Sequence, residues 1–441
     1  MNYTDNNIIE ALSSISSDVL NGTNFNRSEF ARQIMNYPAM MVPSVQEPII
    51  KSLSEKFGKN INLLDPFMGA SNTLVTGMKY GLNVVGQDIN PLSLLISQVK
   101  TSYYSFDELH TSKSILKSNI ENDNSESIEV NFRNIDKWFK NKVQIELSKL
   151  FRAIFKESNL KLRKFYWVTL AEVIRLSSND RTSTFKLHIR STEDINNRDI
   201  SPIKIFFTIL QRSINDLNSF SSVLYENNLI SNDKYIKDCD VVWGNSLYEI
   251  KTNKSFDLMV TSPPYGDNQT TVTYGQFSYL PLQWIPLNDI DENIDFDYLR
   301  TIQEIDSNSL GGKTIPDLNH HKKQLFEKSK TLKLLFDSFS LEEDRKARRL
   351  INFYHDLDIT IDNILSKLNK NSFLVWTVGN RSVNKRVVRN DMIISELLYS
   401  KNVSLVTDLE RDILGKRMPG RNNFSDTMSK EKILIYKINL N

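Results

Sequence analysis

Thr261-Ser262-Pro263-Pro264-Tyr265-Gly266 follows an apolar run at 256–260 and carries side chains suited to one kind of chemistry. A serine hydroxyl and a neighbouring backbone carbonyl, held in place by proline, can grip the two hydrogens of an amino group attached to a flat ring. Such a nitrogen is a poor nucleophile, because its lone pair is delocalised into the ring. Two fixed acceptors, Ser262 and the carbonyl near Pro263, favour a pyramidal nitrogen with its lone pair aimed outward. They also stabilise the positive charge that develops there. Proline removes a backbone donor that would compete and fixes the chain direction. Tyr265 offers a flat face for a base drawn out of its stack, a contact worth about 1–3 kcal/mol against an extrusion cost of a few kcal/mol. Taken alone, Pro263-Pro264 also reads as a rigid strand terminator. Residues upstream decide between the two.

Asp65-Pro66-Phe67-Met68-Gly69-Ala70-Ser71-Asn72-Thr73 follows an earlier apolar run and opens a helical pattern. A turn of small residues lets backbone N–H groups and a helix N-terminus approach a ligand closely. About twenty residues on, Gly86-Gln87-Asp88-Ile89-Asn90-Pro91 ends a second run, where a carboxylate is placed to accept from ribose hydroxyls. Gly244-Asn245-Ser246, after a third run, is a candidate contact for an adenine edge. Each signal is common to many nucleotide-binding sheets; their order and spacing join them into one site. No phosphate-cradling loop with its lysine occurs, which disfavours ATP.

These turns need a scaffold that gathers distant positions at one edge. Seven short runs rich in Val, Ile and Leu, at 61–64, 83–87, 240–243, 256–260, 373–378, 403–407 and 433–436, read as buried strands. Near-continuous apolarity, with amphipathic stretches between, predicts a mainly parallel, doubly wound, Rossmann-like α/β sheet covered on both faces. Such a sheet binds ligands beyond the carboxyl ends of its strands. Helices are predicted over 43–57, 72–80 and 391–399. Two intervals break the rhythm. Residues 101–237 carry helical patterns, 136–155 and 204–225 among them, and are expected as a helical insertion. Residues 266–341 begin polar and aromatic, turn acidic at 289–306, and are expected as an inserted loop region with structure of its own. The expected division is a cofactor-binding half at 1–100, the insertion at 101–237 and the catalytic half at 238–441.

With 441 residues, 40% hydrophobic and 24% charged, the chain has the composition of a soluble enzyme of one large core or two to three domains. The formal net charge is only +2, so any basic surface must be local. One cluster holds Lys161, Arg163, Lys164, Arg175, Arg181, Lys186 and Arg190 against Glu172 and Asp180; another holds Arg381, Lys385, Arg386 and Arg389, continued by Lys416, Arg417 and Arg421. Such groups neutralise phosphates, although a solvated face is their plainest reading. Residues 177–184 add side chains able to bond base edges, and Gln269 and Thr270 are placed to fold over a target base. The single cysteine, Cys239, excludes a disulfide framework and fits a reducing cytoplasm. Neither a signal-peptide start nor an apolar run of about 18–20 residues occurs, so a cytoplasmic protein without membrane attachment is expected. Methylation at a ring carbon needs a cysteine nucleophile, and Cys239 lies between Asp238 and Asp240 ahead of a strand. A zinc deaminase needs several Cys or His ligands, which five scattered histidines do not supply. No metal is expected.

DPFMG at 65–69 with Thr73, GQDINP at 86–91 and TSPPYG at 261–266, in that order, resemble the prokaryotic DNA amino-methyltransferases, especially those attached to restriction–modification. Asn36-Tyr37-Pro38-Ala39-Met40-Met41 is similar to the family segment ahead of the first strand. Residues 261–284, Glu410-Arg411-Asp412, Lys416-Arg417-Met418-Pro419 and the segment 428–432 are similar too, so the likeness spans most of the chain. The resemblance implies S-adenosyl-L-methionine as methyl donor, bound by Tyr37, Pro38, Asp65, Phe67, Gly69, Ser71, Thr73, Asp88, Ile89, Asn245 and Ser246. Asp65, Phe67 and Gly69 would surround its methionyl part and Asp88 its ribose. It implies Ser262, Pro263, Pro264 and Tyr265 as catalytic residues on a seven-stranded methyltransferase sheet ending in an antiparallel hairpin. Ser-Pro-Pro-Tyr more often accompanies N4 of cytosine, and Asp or Asn in place of the serine accompanies N6 of adenine. In related enzymes an insertion placed like 101–237 can carry target recognition. Two departures, Ser71 for a glycine and Asn245 for an acid, predict weaker cofactor binding. The implied partners are double-stranded DNA and a cognate restriction endonuclease, since no nuclease carboxylate–lysine constellation is visible. An RNA guanine-N2 methyltransferase shares the DPF turn and Pro-Pro-Tyr, but such enzymes usually bring a separate RNA-binding domain. A non-catalytic DNA-binding relative is opposed by the intact 262–265 motif and kept open by Ser71 and Asn245.

Overall fold

The computed structural model describes residues 5–22, 27–31, 34–38, 40–58, 60–413 and 430–439. All seven apolar runs are strands of one sheet: β1 (Asn62–Asp65), β2 (Asn83–Asp88), β3 (Cys239–Trp243), β4 (Phe256–Thr261), β5 (Leu368–Val378), β6 (Val403–Asp412) and β7 (Lys430–Ile438). Their spatial order is β3-β2-β1-β4-β5-β7-β6. Strands β1 to β5 run parallel, and β7 lies antiparallel between β5 and β6.

Successive side chains of a strand face opposite sides, and here both sides are buried. Leu63, Val84, Leu258, Val260, Phe373 and Ile433 belong to one apolar cluster. Leu64, Val85, Met259, Leu374, Trp376 and Leu434 belong to the other. This explains why the runs lack a polar alternation. Helices α1 (Pro43–Phe57), α2 (Asn72–Lys79) and α3 (Pro91–Lys100) give Ile49, Leu74 and Leu95 to the first cluster. Helices α6 (Arg348–Leu365) and α7 (Asn390–Tyr399) give Ile351, Leu357 and Leu397 to the second. The winding direction reverses between β1 and β4, so the turns after these two strands face one crevice.

Residues 101–237 supply the helices Phe106–Glu121, Asn141–Phe155, α4 (Leu160–Ser177) and Pro202–Glu226. Phe165, Trp167, Phe206 and Leu217 continue the first apolar cluster. The helical pattern predicted at 136–155 is broken in two, Ile135–Trp138 and Asn141–Phe155, because Phe139 takes extended backbone and sets its ring edge-on against Trp284. The expected loop region at 266–341 is instead mostly helical: α5 (Tyr274–Trp284), Leu287–Ile290, Glu304–Asn308, Leu318–Lys328 and Lys330–Asp337. Its first helix hid in the sequence because α5 is buried nearly all round and contains Pro281, which leaves no amphipathic period to read. Asp289 fastens the two insertions. It accepts from Nε and Nη2 of Arg163 at 2.7 and 2.8 Å and from Nε1 of the buried Trp167 at 2.7 Å. Among the described residues no helix is long and apolar enough to cross a membrane.

Candidate active site

The turn after β1 is built by buried polar contacts. Asp65 is fully buried; its carboxylate accepts from Thr261 Oγ1 at 2.7 Å and from the Phe67 N–H at 3.1 Å. Burial pushes this carboxyl up to about 6. Gly69 has φ +48°, the left-handed region that glycine tolerates best, and its N–H donates to Asp88 Oδ2 at 2.9 Å. From beneath, α3 holds the turn: Ser97 Oγ donates to the Gly69 carbonyl at 3.2 Å, and the buried Lys100 ammonium donates to the Ala70 carbonyl at 2.6 Å. Gly86 is required by packing, because a Cβ there would stand 2.6 Å from both Leu74 Cδ1 and Met68 Sδ.

Above this turn lies a cleft at the β1/β4 reversal. Its walls include Tyr37, Pro38, Met41, Phe67, Gly69, Asp88, Ile89, Asn245, Ser246, Ser262, Pro264, Asn268, Tyr274 and Leu310. Asp88 stands at the end of β2, its Oδ1 accepting from the Asn90 N–H at 2.8 Å. Burial raises its carboxyl, against the opposing pull of the Asn90 and Gly69 N–H groups. Asn90 also donates to the Tyr37 hydroxyl at 2.9 Å and to Ser278 Oγ at 2.7 Å, so it binds the N-terminal segment to α5. Tyr37 stacks on Tyr274 with ring centres 5.9 Å apart.

Ser262 and Pro264 line the cleft, and Pro263 between them in sequence is buried. Tyr265 is half-buried and is not among the residues that wall the cleft. Its hydroxyl lies 3.2 Å from Ser262 Oγ and donates to Glu431 Oε1 at 3.0 Å. Burial, and then the Glu431 charge, hold the Tyr265 phenol well above its ordinary range. Asn390, at the start of α7, donates to the Tyr265 carbonyl at 3.0 Å and to the Gly379 carbonyl at 2.7 Å. Just beyond, the buried Asp267 faces Arg349 at 3.3 Å and Arg381 at 3.8 Å.

The structure thus brings Tyr37, Pro38, Phe67, Gly69, Asp88, Ile89, Asn245, Ser246, Ser262 and Pro264 to one cleft. Asp65, Ser71 and Thr73, expected beside the ligand, are fully buried and support the turn instead. Ser71 has φ +58°, in the left-handed region, and bonds Ser97 Oγ, while Thr73 accepts from Gln46 Nε2 at 2.8 Å. Asn245 faces the cleft, but its side chain already donates to the Asn308 carbonyl at 2.9 Å and accepts from the Leu247 N–H at 3.0 Å. Ser246 donates to the Pro66 carbonyl at 2.7 Å. Sequence reasoning gave no role to Asn90, Asn268, Tyr274, Asn390 or Glu431; all but Asn390 lie inside segments it had marked, at 86–91, 261–284 and 428–432.

Among the basic candidates, Arg181 and Lys186 are exposed on a loop tied to α5 by Leu187 N–H to Gln276 Oε1 at 3.2 Å and Thr273 Oγ1 to the Phe185 carbonyl at 3.2 Å. Arg190 is half-buried and donates to the Arg181 carbonyl at 3.1 Å. Arg175 is no free cation: it pairs with Glu172 at 3.2 Å and lies over the Phe277 ring at 4.9 Å. Lys385 is exposed at the tip of the hairpin Arg381–Val383/Arg386–Val388, whereas Arg386 pairs with Glu343 at 2.8 Å. Arg381 is largely buried and donates to Thr270 Oγ1 at 3.1 Å; Gln269 accepts from Arg349 at 2.8 Å. These pairings tie the side chains of Thr270 and Gln269 to the hairpin and to α6. Arg345, Arg348 and Arg349 add exposed positive charge that the sequence reading did not single out. Lys416 and Arg417 lie outside the described residues. Cys239 opens β3 rather than preceding it, and burial pushes its thiol up to about 12, which is no setting for a nucleophile.

No protein-family model matches the chain. Type II methyltransferase M.MvaI of Kocuria varians is 32% identical over 460 aligned positions, covering 100% of this chain and 99% of that one. Type II methyltransferase M.MjaII of Methanocaldococcus jannaschii is 34% identical over 83 positions, 19% of this chain and 15% of that one. A solved structure, the rRNA methyltransferase aviRa from Streptomyces viridochromogenes, is matched at 10% identity and a TM-score of 0.28 over 96% of this chain and 93% of that one, a likeness too slight to carry an argument. The full-length likeness to M.MvaI does carry one: the chain belongs to the Type II methyltransferases.

Proposed function

We propose that this chain methylates the exocyclic amino group of a base flipped out of duplex DNA, namely N4 of cytosine, using S-adenosyl-L-methionine. The observation that carries the reading is that Ser262, at the end of β4, opens on the same cleft as Asp88, at the end of β2. The lining suits this donor. Among the described residues around the cleft there is no Lys, Arg or His, and one carboxylate, Asp88. A polyphosphate nucleotide would lack a counter-charge there, whereas a cationic nucleoside with ribose hydroxyls finds an acceptor and apolar walls in Phe67, Ile89, Met41 and Leu310. Bound there, the donor supplies a methyl group already activated on a sulfonium.

The chain's own residues then have to orient and to exclude water. Asp88 accepts from the ribose hydroxyls while keeping its two backbone donors. The Ser262 hydroxyl oxygen and the Pro263 carbonyl accept the amino hydrogens and fix the nitrogen's lone pair toward the donor's methyl group; alignment of this kind supplies much of the rate. Pro264 walls the cleft. Arg181 and Lys186 beside α5, with Arg345, Arg348 and Lys385 across the motif, are the proposed contacts to DNA phosphates, and residues 101–237 the proposed reader of the site. Serine ahead of Pro-Pro-Tyr supports cytosine over adenine. The Type II likeness supports a cognate restriction endonuclease as partner in a restriction–modification pair.

Labelled methyl transfer to mixed-sequence duplex DNA and to bulk RNA, with the product nucleoside identified by mass spectrometry, tests this. N4-methylcytosine in DNA is the expected product. N6-methyladenine would change the base and keep the mechanism. Label confined to RNA, or none at all, would overturn the reading.

A further inference from the structure

The Glu431 carboxylate is divided between two tasks. Its Oε2 accepts both Nε, at 2.8 Å, and Nη2 of Arg411, and its Oε1 accepts the Tyr265 hydroxyl at 3.0 Å. Arg411 and Glu431 face each other across the β6/β7 ladder, with side chains 9% and 12% exposed, so water competes little for this pair. A carboxylate paired with a guanidinium accepts hydrogen bonds and does not donate. The Tyr265 proton is therefore spent on Glu431. Its oxygen, 3.2 Å from Ser262 Oγ, is left to act only as an acceptor toward that serine.

We infer that Glu431 is a positioning residue that fixes the direction of the hydrogen-bond chain Ser262 to Tyr265 to Glu431, and so turns the lone pairs of Ser262 toward the cleft. This rests on the proposal that Ser262 accepts hydrogens of a target amino group. A serine hydroxyl is ambivalent, because it can offer its proton or its lone pairs to the cleft. Offering the proton would set donor against donor at the amino group. With Glu431 in place, the Ser262 proton points at Tyr265 and the lone pairs point at the substrate before it arrives. Tyr265 thereby acts through its hydroxyl rather than through the face of its ring.

Glu431→Gln tests the direction with almost no change of shape. Arg411 holds the amide oxygen of the new side chain, so its NH2 faces Tyr265 and donates. The tyrosine proton is then driven toward Ser262, and the serine proton toward the cleft. The expected result is a fall in kcat of about tenfold, with affinities for S-adenosylmethionine and DNA within about twofold of the parent. Tyr265→Phe, which keeps the ring and breaks the chain, is expected to lower kcat as well. In the Tyr265→Phe background Glu431→Gln should add less than about a twofold further loss, because the link through which it acts is gone. A Glu431→Gln loss of undiminished size in that background would assign the residue to the Arg411 pair alone and overturn the inference. So would full kcat in Tyr265→Phe, which decides the matter even if Glu431→Gln does not fold. Product analysis of the parent separates the two levels. An amino-methylated nucleoside with an additive cycle removes only the role of Glu431, whereas a parent that methylates no amino group removes the functional reading and this inference with it.

Discussion

The Thr261 hydroxyl donates to the Asp65 carboxylate at 2.7 Å, joining the last residue of β4 to the last residue of β1 across 196 positions of sequence. Both residues are fully buried. This bond sits at the strand-order reversal, so it sets the spacing between the turn after β1 and the motif that follows β4. Thr261→Val keeps the volume and removes one donor from a buried carboxylate. Stability should fall by about 1–3 kcal/mol, read as a lower Tm in calorimetry, while Thr261→Ser should restore most of it. An unchanged Tm in Thr261→Val would mean that the bond does not hold the two strands.

Asp65, Asp306 and Asp356 share an unusual electrostatic setting. Burial pushes each carboxyl from 3.8 up to about 6, despite N–H donors at Phe67, Gly275 and Gly311 respectively. Between pH of about 4 and 6 the folded state therefore holds more protons than the unfolded chain, so these groups make stability fall as pH rises through that window. Above about 6 their contribution levels off at its least favourable value. Tm at pH 5.5 should thus exceed Tm at pH 7.5, and Asp306→Asn combined with Asp356→Asn should flatten the profile. A Tm that rises steadily from pH 5.5 to 7.5 in the parent would contradict this.

Ser71 occupies left-handed backbone, φ +58° and ψ +27°, where a side chain costs about 1 kcal/mol or more. Its hydroxyl bond to Ser97 offsets that strain. Ser71→Ala loses the bond and keeps the strain; Ser71→Gly loses both. The glycine variant should therefore be the more stable of the two by about 1 kcal/mol, measured by urea unfolding. An alanine variant equal to the glycine one would show that the turn relaxes around this position.

The sheet was legible because its strands carry short runs rich in Val, Ile and Leu, and the cleft because its turns carry small residues and Asp88 at strand ends. What escaped was whatever depends on contacts between distant segments. Glu431 lies in a segment marked by resemblance, but 166 positions separate it from the tyrosine it holds, and nothing local names that partner. Helix α5 was hidden by its own burial. Charge clusters misled for a related reason: sequence shows that Arg175 is basic, but not that its guanidinium lies over Phe277 beside Glu172.

That distinction has a direct test in DNA binding. Arg181 and Lys186 are exposed, so neutralising either should reduce the slope of log affinity against log salt by about one counterion. Arg175→Ala should leave the slope unchanged and lower Tm, since it removes a packed cation and leaves the buried Glu172 unpaired. Fluorescence anisotropy across a salt series separates the two behaviours. An altered slope in Arg175→Ala would return that residue to the DNA surface.

Asp88 makes the sharpest case at the cleft, because its two oxygens are each already committed to a backbone N–H, Oδ2 to Gly69 and Oδ1 to Asn90. In Asp88→Asn one of these positions becomes a donor facing a donor, so the substitution disturbs the turn as well as removing the charge. Loss of a charged acceptor to ribose is worth about 1.5–3 kcal/mol, which corresponds to roughly ten- to hundredfold in affinity. S-adenosylmethionine carries a positive sulfonium, whereas its demethylated product carries a neutral thioether. Since Asp88 is the one charged side chain among the described cleft-lining residues, its neutralisation should weaken the cationic donor more than the neutral product. Calorimetric titration of both ligands into the parent and Asp88→Asn measures this difference. Equal losses would confine Asp88 to hydrogen bonding and turn geometry, and unchanged affinity for both would remove it from the cofactor site.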